Sequence, residues 1–439
     1  MKHTRDRRAR QRIFALLALL ALLASVACGK DDTTKVDPND FGELQQSTKN
    51  RVTDPNVAPA DLDALTDGNN LFAWKLYREL KKGGTNLFYS PYSISTALAM
   101  TFAGAKGTTK SEMAATLGFT LGDEKLHPAF NALDLALQKR GEGAQGVDGK
   151  KFQLNVVNAL WGRKGYSFLD TFLDELALNY GAGMRIVDFL ADPEGSRLKI
   201  NNWVANNTGD RIQDLIPSGL ITPDTILVLT NAIYFNAAWA LPFEKGKTRD
   251  ATFTKLDEST TSVKMMSGVT GYMRYFDAGD YEALALPYDG DELSMLLILP
   301  KAGGFTDLEA TLDANEIDAL IQQMTVRNVE VHLPQFELTA EFKLKDALQA
   351  LGMTAAFSDG ADFSGMNGTG GLKIDAVVHK AFVKVTEEGT EAAAATGVII
   401  GPTSVPPPPV VITFDRPFIF LIRDHATNAT LFVGRLLEP

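Results

Sequence analysis

The chain has 439 residues, of which 45% are hydrophobic and 22% are charged, a composition typical of folded globular proteins and unlike that of disordered or collagen-like chains. Its formal net charge is −11, and a surplus of acidic groups repels phosphate backbones, so we expect no nucleic-acid partner. With five histidines, one cysteine and neither an HExxH nor a GxSxG motif, the composition argues against a zinc cluster and a disulfide framework, and we expect no metal and no cofactor.

The first 27 residues are expected to form an export signal. Six basic residues precede an apolar run at 13–27, which is too short to span a hydrocarbon core of about 30 Å. Small residues stand at Ser25 and Ala27, and the only cysteine, Cys28, follows at once. This pattern resembles a bacterial lipoprotein signal with Cys28 as the lipidated residue, although Ser25 occupies a position where leucine is usual. We expect an exported lipoprotein anchored in the cell envelope; plain secretion after cleavage at Ala27 is the alternative.

The next segment, residues 28–65, is polar and punctuated by prolines. It includes DDTTKVDPND at 31–40 and has few apolar residues that could pack into a core. We expect it to be a flexible tether that holds a folded body away from a membrane surface. A single folded domain is then expected over residues 66–439.

The body begins with a predicted helix over 69–82, where Leu71, Trp74 and Tyr77 recur near helical spacing before two glycines end the helix. Further helices are predicted at 93–103, 110–117, 128–139, 169–180, 196–208 and 342–351. Strands are predicted at 152–161, 226–235, 293–299, 329–333, 376–386 and 418–422. Helices prevail early and strands late, which favours an α+β fold over a regular βαβ alternation.

A glycine-rich motif, GEGAQG at 141–146, matches the GxGxxG pattern of dinucleotide sites. That chemistry needs a strand before the glycines and a helix amino terminus after them. Here a predicted helix precedes the glycines and a predicted strand follows, so we interpret the motif as a mobile connection.

The segment EEGTEAAAATGVIIGPTS at 387–404 combines conflicting preferences. Its alanines favour a helix, yet it follows a predicted strand and is followed by four prolines at 406–409. In an extended strand, Thr390 and Ala392 would share one face and Glu391 the other. Small side chains would lower the steric barrier to entering a sheet; a solvent-exposed linker and a short helix capped by Thr390 are the alternatives.

Several motifs, in one order along residues 65–439, together resemble the serpin family. They are NLFYSPYSISTALAM (86–100), INNWVANNTGDRI (200–212), LTNAIYFNAAWALPF (229–243), VHKAFVKVTEEGTEAAAAT (378–396) and DRPFIFLI (415–422), with support from ALPYDGDELSMLLILP (285–300) and LQALGMTAAFS (348–358). The resemblance implies an α+β serpin fold of three β-sheets and about nine helices, with an exposed reactive loop near the carboxyl terminus.

The resemblance also implies a function and a mechanism. Serpins present the reactive loop to a serine protease, or in some cases to a cysteine protease, which cuts the loop and becomes trapped as an acyl-enzyme when the loop inserts into the large sheet. The expected partner is therefore a target protease bound covalently by a monomeric, metastable inhibitor, and the protein itself is not an enzyme. A noninhibitory serpin that acts as a binding or chaperone-like protein is the alternative.

Matching the family's motifs residue by residue assigns three groups of site residues. The hinge of the loop is expected at Glu387, Gly389, Thr390, Glu391, Ala392, Ala393, Ala394, Ala395 and Thr396. The shutter, a polar cluster beneath the strands that open, is expected at Ser90, Ser93, Asn231 and His379. The breach, where the loop would begin to insert, is expected at Trp239, Gln335 and Glu387. Gln335 stands where a lysine is common, so a neutral hydrogen bond is expected there in place of an ion pair.

The resemblance also implies the position of the reactive bond: the family's loop length, counted from Glu387, places it sixteen residues on, between Thr403 and Ser404. A small β-branched residue such as Thr403 suits the restricted specificity pocket of an elastase-like or subtilisin-like protease. A register shift of one or two residues would move the bond and change this prediction. Ser90 and His379 could instead suggest a hydrolase, but no nucleophile-elbow sequence surrounds either Ser90 or Ser93.

Overall fold

The computed structural model describes residues 39–142, 144, 152–390 and 408–439. All of these residues fall in one contact unit, Pro38–Pro439. Several predictions lie outside the described residues: the export signal, Cys28, the tether as far as residue 38, the hinge residues Glu391 to Thr396, the reactive bond Thr403–Ser404, and half of the predicted mobile connection at 141–146.

The described residues contain ten α-helices. These are α1 (Pro59–Leu80), α2 (Pro91–Phe102), α3 (Gly107–Leu117), α4 (Asp123–Gln138), α5 (Asp170–Tyr180), α6 (Pro193–Asn207), α7 (Phe305–Thr311), α8 (Ala314–Gln323), α9 (Lys345–Ala350) and α10 (Ser364–Asn367). Local sequence determines where several helices begin or end. The Ser90 side chain caps the amino terminus of α2 ahead of Pro91, and α5 ends at Gly181, which adopts a left-handed conformation. The predicted helix at 342–351 begins later than expected, because Phe336–Lys343 is a strand.

The first sheet has seven strands in the order β1-β4-β3-β5-β13-β12-β11. Its strands are β1 (Glu43–Gln45), β3 (Gln153–Arg163), β4 (Met184–Val187), β5 (Leu227–Ala238), β11 (Phe336–Lys343), β12 (Ile374–Val385) and β13 (Gly389–Thr390). β5 is buried along its whole length, as expected for a strand covered on both faces.

The second sheet has nine strands, with β6 paired to β7 beside the path β14-β10-β7-β8-β9-β15-β16-β2. Its strands are β2 (Leu87–Tyr89), β6 (Arg249–Thr254), β7 (Thr260–Asp277), β8 (Tyr281–Pro287), β9 (Leu293–Pro300), β10 (Thr325–Pro334), β14 (Val410–Thr413), β15 (Phe418–Asp424) and β16 (Thr430–Leu436). The α+β class is confirmed, but hydrogen bonding joins the described strands into two sheets rather than three. The reason is the 18-residue strand β7, which pairs with β6 and β10 and, at its far end, with β8.

Helix α2 lies at the centre of the molecule, and every one of its residues is buried. It packs against β3 and β5 of the first sheet and against β16 of the second. Its amino terminus lies against β5 and β12, because Ser90 and Ser93 there are hydrogen-bonded to His379 and Asn231. That position matters for the polar cluster described below.

The folded body begins earlier than the sequence predicts. The tether was expected to reach residue 65, but β1 pairs antiparallel with β4 and α1 already begins at Pro59. The tether prediction is therefore wrong for residues 43–65. Leu65 lies in the hydrophobic core with Val57 and Leu62 packed against it, and polar contacts with distant residues add to this packing; Arg51 with Asp134 is one such pair.

Among the described residues, no helix combines the length and the apolar character needed to cross a membrane.

Candidate functional site: a strand opening in the seven-stranded sheet

The candidate site is the contact between β5 and β12. These two strands run parallel and pair directly over much of their length, with Asn231 opposite His379. At one end the short strand β13 lies between them: Thr390 is opposite Ala237 of β5 and Val385 of β12, antiparallel to both. An antiparallel strand has therefore already entered the gap between two parallel strands.

Gly389 and Thr390 fit this gap closely. A Cβ atom on Gly389 would lie 2.2 Å from the Ala237 carbonyl oxygen and 2.6 Å from the Ala238 Cα, so no larger residue fits there without movement. The Thr390 side chain is 0% exposed, and its hydroxyl shares a hydrogen bond of 2.9 Å with the Tyr288 hydroxyl. The small size of both residues allows the chain to enter the sheet at this point.

An aromatic pair supports the hinge from below. Trp239 stacks on Tyr288, with ring centroids 4.6 Å apart and an interplanar angle of 12°. The indole Nε1 of Trp239 donates to the Thr386 carbonyl at 3.0 Å, and burial raises the pKa of Tyr288. Tyr288 was absent from the predicted site, although it lies in the ALPYDGDELSMLLILP motif, because its role arises from a contact across 102 residues of sequence.

Two adjacent buried carboxylates, Glu387 and Glu388, directly precede Gly389. Glu387 accepts a hydrogen bond from Gln335 Nε2 at 2.8 Å and another from the Thr248 hydroxyl at 2.5 Å. The structure thus brings Trp239, Gln335 and Glu387 to one end of the sheet, with the neutral Gln335–Glu387 hydrogen bond that the sequence suggested.

The ion pair at this end of the sheet involves Glu388 rather than Glu387. Lys245 forms an ion pair with Glu388, and the pKa of Lys245 is raised first by its hydrogen bond to Glu388 and then by the charges of Glu388 and Glu387. Sequence reasoning missed both Lys245 and Glu388. The pair places a cation beside the hinge, although Gln335 occupies the usual lysine position.

The predicted shutter residues form one buried hydrogen-bonded cluster. His379 Nδ1 bonds to the Asn231 side-chain oxygen, and His379 Nε2 accepts from the backbone N–H of Ser90 at 3.1 Å. The Asn231 amide donates to the Ser93 hydroxyl at 2.5 Å. Since His379 and Asn231 lie on β12 and β5, their hydrogen bond crosses the contact that a new strand would have to open.

Asn158 on β3 extends the cluster to a third strand. Its side-chain oxygen accepts from Asn231 and from Ser93 at 3.3 Å, and its amide donates to the Ser93 carbonyl at 3.2 Å. The only available signal for Asn158 was its place in a predicted strand, because cross-strand register cannot be read from one segment alone.

Within this cluster, Ser90 and His379 are not arranged as a nucleophile and its base. The Ser90 hydroxyl donates to the Leu431 carbonyl at 2.7 Å, and His379 faces the Ser90 backbone rather than this hydroxyl. Burial lowers the pKa of His379 to about 3, which keeps the ring neutral, with Nδ1 as donor and Nε2 as acceptor. Within the described residues, no group of histidine, cysteine and acidic side chains is arranged to hold a metal ion.

We expect the native protein to lose stability as the pH falls below about 6.5. Burial lowers the pKa of His379 to about 3 and that of His127 to about 4, so below pH 6.5 the unfolded chain binds protons that the native chain does not. Each histidine should remove about 2 kcal/mol between pH 6.5 and pH 5. Thermal unfolding from pH 8 to pH 5 would measure this loss. A His127→Gln variant should show about half the dependence, whereas a flat profile in the unaltered protein would contradict the prediction.

Comparisons with known proteins agree with this geometry. The family described as Serpin (serine protease inhibitor) matches residues 67–439. An uncharacterized serpin-like protein of Thermococcus kodakarensis is 41% identical over 374 residues, covering 84% of each chain. Leukocyte elastase inhibitor A of Rattus norvegicus is 38% identical over 86% of this chain and all of its own.

A solved structure gives the same result. Serpin48 of the insect Tenebrio molitor, described as a highly specific serpin, superposes with a TM-score of 0.73 at 30% identity over 87% of this chain and 98% of its own. The sequence motifs, the three-dimensional arrangement and the relatives lead to one conclusion: the chain belongs to the serpin family.

Proposed function

We propose that this serpin is an irreversible suicide-substrate inhibitor of serine proteases, which traps the acyl-enzyme by inserting its cut loop into the seven-stranded sheet. The observation that carries the proposal is β13. Gly389 and Thr390 are already hydrogen-bonded between β5 and β12, antiparallel to both, while β5 and β12 pair in parallel beyond them. Continued in the same direction, the chain after Thr390 would become a central strand.

The native state of this protein would be stable for kinetic reasons, because a barrier separates it from the inserted form. Insertion would replace one parallel contact by two antiparallel ones, and antiparallel pairing is somewhat more stable per residue. It would also require the His379–Asn231 hydrogen bond to break before the new bonds form, which places a barrier on the path. A protein with a better-paired arrangement behind such a barrier is metastable in its native state.

The composition of the hinge supports inhibition over the noninhibitory alternative. Residues 392–395 are all alanine, and Thr390 lies on the inward face of the gap. Bulky or charged groups at inward positions would slow insertion, because each would have to be buried as the strand advances. Residues 392–395 contain no bulky or charged side chain.

We propose an elastase-like or subtilisin-like serine protease as the target, with a cysteine protease as a further candidate. Thr403 before the reactive bond favours a restricted pocket, and a relative that is 38% identical bears the name leukocyte elastase inhibitor A. Sequencing the fragment released on trapping would test the register. Release of a peptide that begins at a residue other than Ser404 would revise the assigned pocket.

The decisive experiment mixes the purified protein with pancreatic elastase and separates the products on a denaturing gel. A band at the combined mass that resists denaturation is expected, together with loss of protease activity. A cut serpin beside fully active elastase, with the same result when subtilisin replaces elastase in a second mixture, would support the noninhibitory alternative.

We further propose that the protein is exported and held in the bacterial cell envelope as a monomer through lipid on Cys28. The basic residues, apolar run and small residues before Cys28 support this location. Cells fed a labelled fatty acid should label the protein, and a Cys28→Ser variant should remain unlabelled. Equal labelling of both would refute lipidation at Cys28, whereas release of the unaltered protein into the medium without label would favour plain secretion.

A further inference from the structure

The segment at residues 40–52, which we name the strap, lies along the edge of the seven-stranded sheet. It was expected to belong to a flexible tether, yet it makes hydrogen bonds or ion pairs to a strand and three helices of the body. Within the described residues it is the outermost part of this sheet on the β4 side. Its two ends hold different parts of the molecule.

The first half of the strap binds the sheet edge and helix α6. β1 pairs with β4, with Leu44 opposite Arg185, and the Arg185 guanidinium donates to the Phe41 carbonyl at 3.3 Å. Asp40 forms an ion pair of 2.7 Å with Lys199 of α6. Gly42 has a left-handed φ of 74°, and a Cβ there would lie 2.6 Å from the Ile186 carbonyl oxygen, so the chain lies tightly against β4.

The second half binds helices α4 and α5. Asp174 of α5 accepts from the Ser47 hydroxyl at 2.5 Å and pairs with Lys49 at 2.8 Å. The backbone N–H of Val52 donates to the Leu178 carbonyl at 2.9 Å.

Arg51 makes the strongest contacts of this half. Its Nε donates to the Asn131 side chain at 2.7 Å, and its Nη2 lies 2.6 Å from the Asp134 carboxylate, both on α4. Asn131 is fully buried and returns a hydrogen bond of 2.8 Å to the Val52 carbonyl. The Arg51 and Asp134 side chains are only 20% and 23% exposed, so water screens this ion pair less than it would a surface pair.

Opening the sheet would displace β4, to which the first half of the strap is bound, but not necessarily α4 and α5, to which the second half is bound. A strand inserted between β5 and β12 separates them by one more strand spacing, about 4.8 Å, and β3, β4 and β1 lie on the β5 side. Hydrogen bonds of 2.5–2.9 Å do not survive a displacement of that size. Either the strap releases α4 and α5, or these helices must move with the sheet.

We propose that the strap restrains the seven-stranded sheet in its closed form and thereby lengthens the lifetime of the metastable native state. This inference rests on the proposed function, because it concerns the rate of the same insertion step. On this proposal α4 and α5 stay in place and the strap releases them, so its contacts with these helices exist before insertion and are lost during it. It therefore slows insertion without stabilising the inserted product.

The test compares the unaltered full chain with Arg51→Ala and Ser47→Ala variants. Each uncut protein is incubated below its unfolding temperature, and the fraction that has become resistant to urea is followed on gels. We expect Arg51→Ala to convert at least five times faster and Ser47→Ala to convert measurably faster. Arg51→Lys should restore much of the lifetime, because a lysine retains one charged contact with Asp134.

Lys125→Ala is the matched control, because Lys125 of α4 pairs with Asp61 of α1 at 3.0 Å and does not touch the strap. Its conversion rate should equal that of the unaltered protein. After loop cleavage, the strap variants and the unaltered protein should melt at the same temperature, which a merely structural role would not produce.

Equal conversion rates in Arg51→Ala, Ser47→Ala and the unaltered protein would overturn the role of the strap. So would a loss of stability in the strap variants that is the same before and after cleavage. Failure of the proposed function is a separate outcome: in that case the unaltered protein itself would gain no thermal resistance on cleavage. If Arg51→Ala does not fold, the Ser47→Ala variant decides.

Discussion

A Thr390→Arg variant is expected to be cut by the target protease without trapping it. Thr390 is fully buried between β5 and β12 and bonded to Tyr288, so an arginine there would have to bury a long charged side chain before the rest of the loop could follow into the sheet. Burying an unpaired charge costs several kcal/mol, so insertion should become slower than hydrolysis of the acyl-enzyme. The yield of covalent complex on a denaturing gel should fall at least tenfold, while residual protease activity remains high.

Glu391→Arg is the matched control for this prediction. In an extended strand, residue 391 would face away from the interior that Thr390 faces, so the same side chain should leave trapping largely intact. Unimpaired complex formation by Thr390→Arg would remove the hinge from the mechanism. Equal loss in both variants would show that added charge, rather than the buried face, is responsible.

Cutting the reactive loop is expected to raise the melting temperature by at least about 20 °C. Each hydrogen bond that the inserted strand adds contributes about 1 kcal/mol net, and an inserted strand would gain them from β5 and β12 on both sides. Calorimetry before and after cleavage would measure the difference.

The Thr390→Arg variant supplies an internal comparison, because its cut loop should insert slowly or incompletely and raise the melting temperature less. Identical melting of the unaltered protein before and after a single cut in the loop would contradict the proposed mechanism. It would favour a noninhibitory serpin, in which the loop is cut and stays outside the sheet.

Several elements were predictable because their signals are local. Helix α5 was predicted within one residue of its observed start, and β5 and β12 were found as apolar runs. The long strand β7 was missed, because polar residues and two glycines interrupt its 18 residues and its stability comes from pairing with β6, β8 and β10. Strand preference depends on such neighbours more than helix preference does.

Some residues of the candidate site were likewise predictable from local motifs, and others were not. Ser90, Ser93, Asn231 and His379 were selected through motifs, and the structure brings them into one cluster. Their role in strand opening, like the roles of the hinge and the breach, stays a prediction. Asn158, Tyr288 and Lys245 were missed because each is defined by a partner from another strand or turn, and no local pattern distinguishes it from its neighbours.

The sequence by itself determined the family and the α+β class, because these depend on local preferences and on several motifs in one order along the chain; it also assigned hinge and shutter residues, whose roles stay predictions. Only the tertiary structure decided that β13 already lies between β5 and β12, that the expected three sheets are joined into two, and that residues 40–52 bind the sheet edge. Each of these depends on hydrogen bonds between segments that are distant in the chain. Such bonds depend on register and close approach, which residue types alone do not specify.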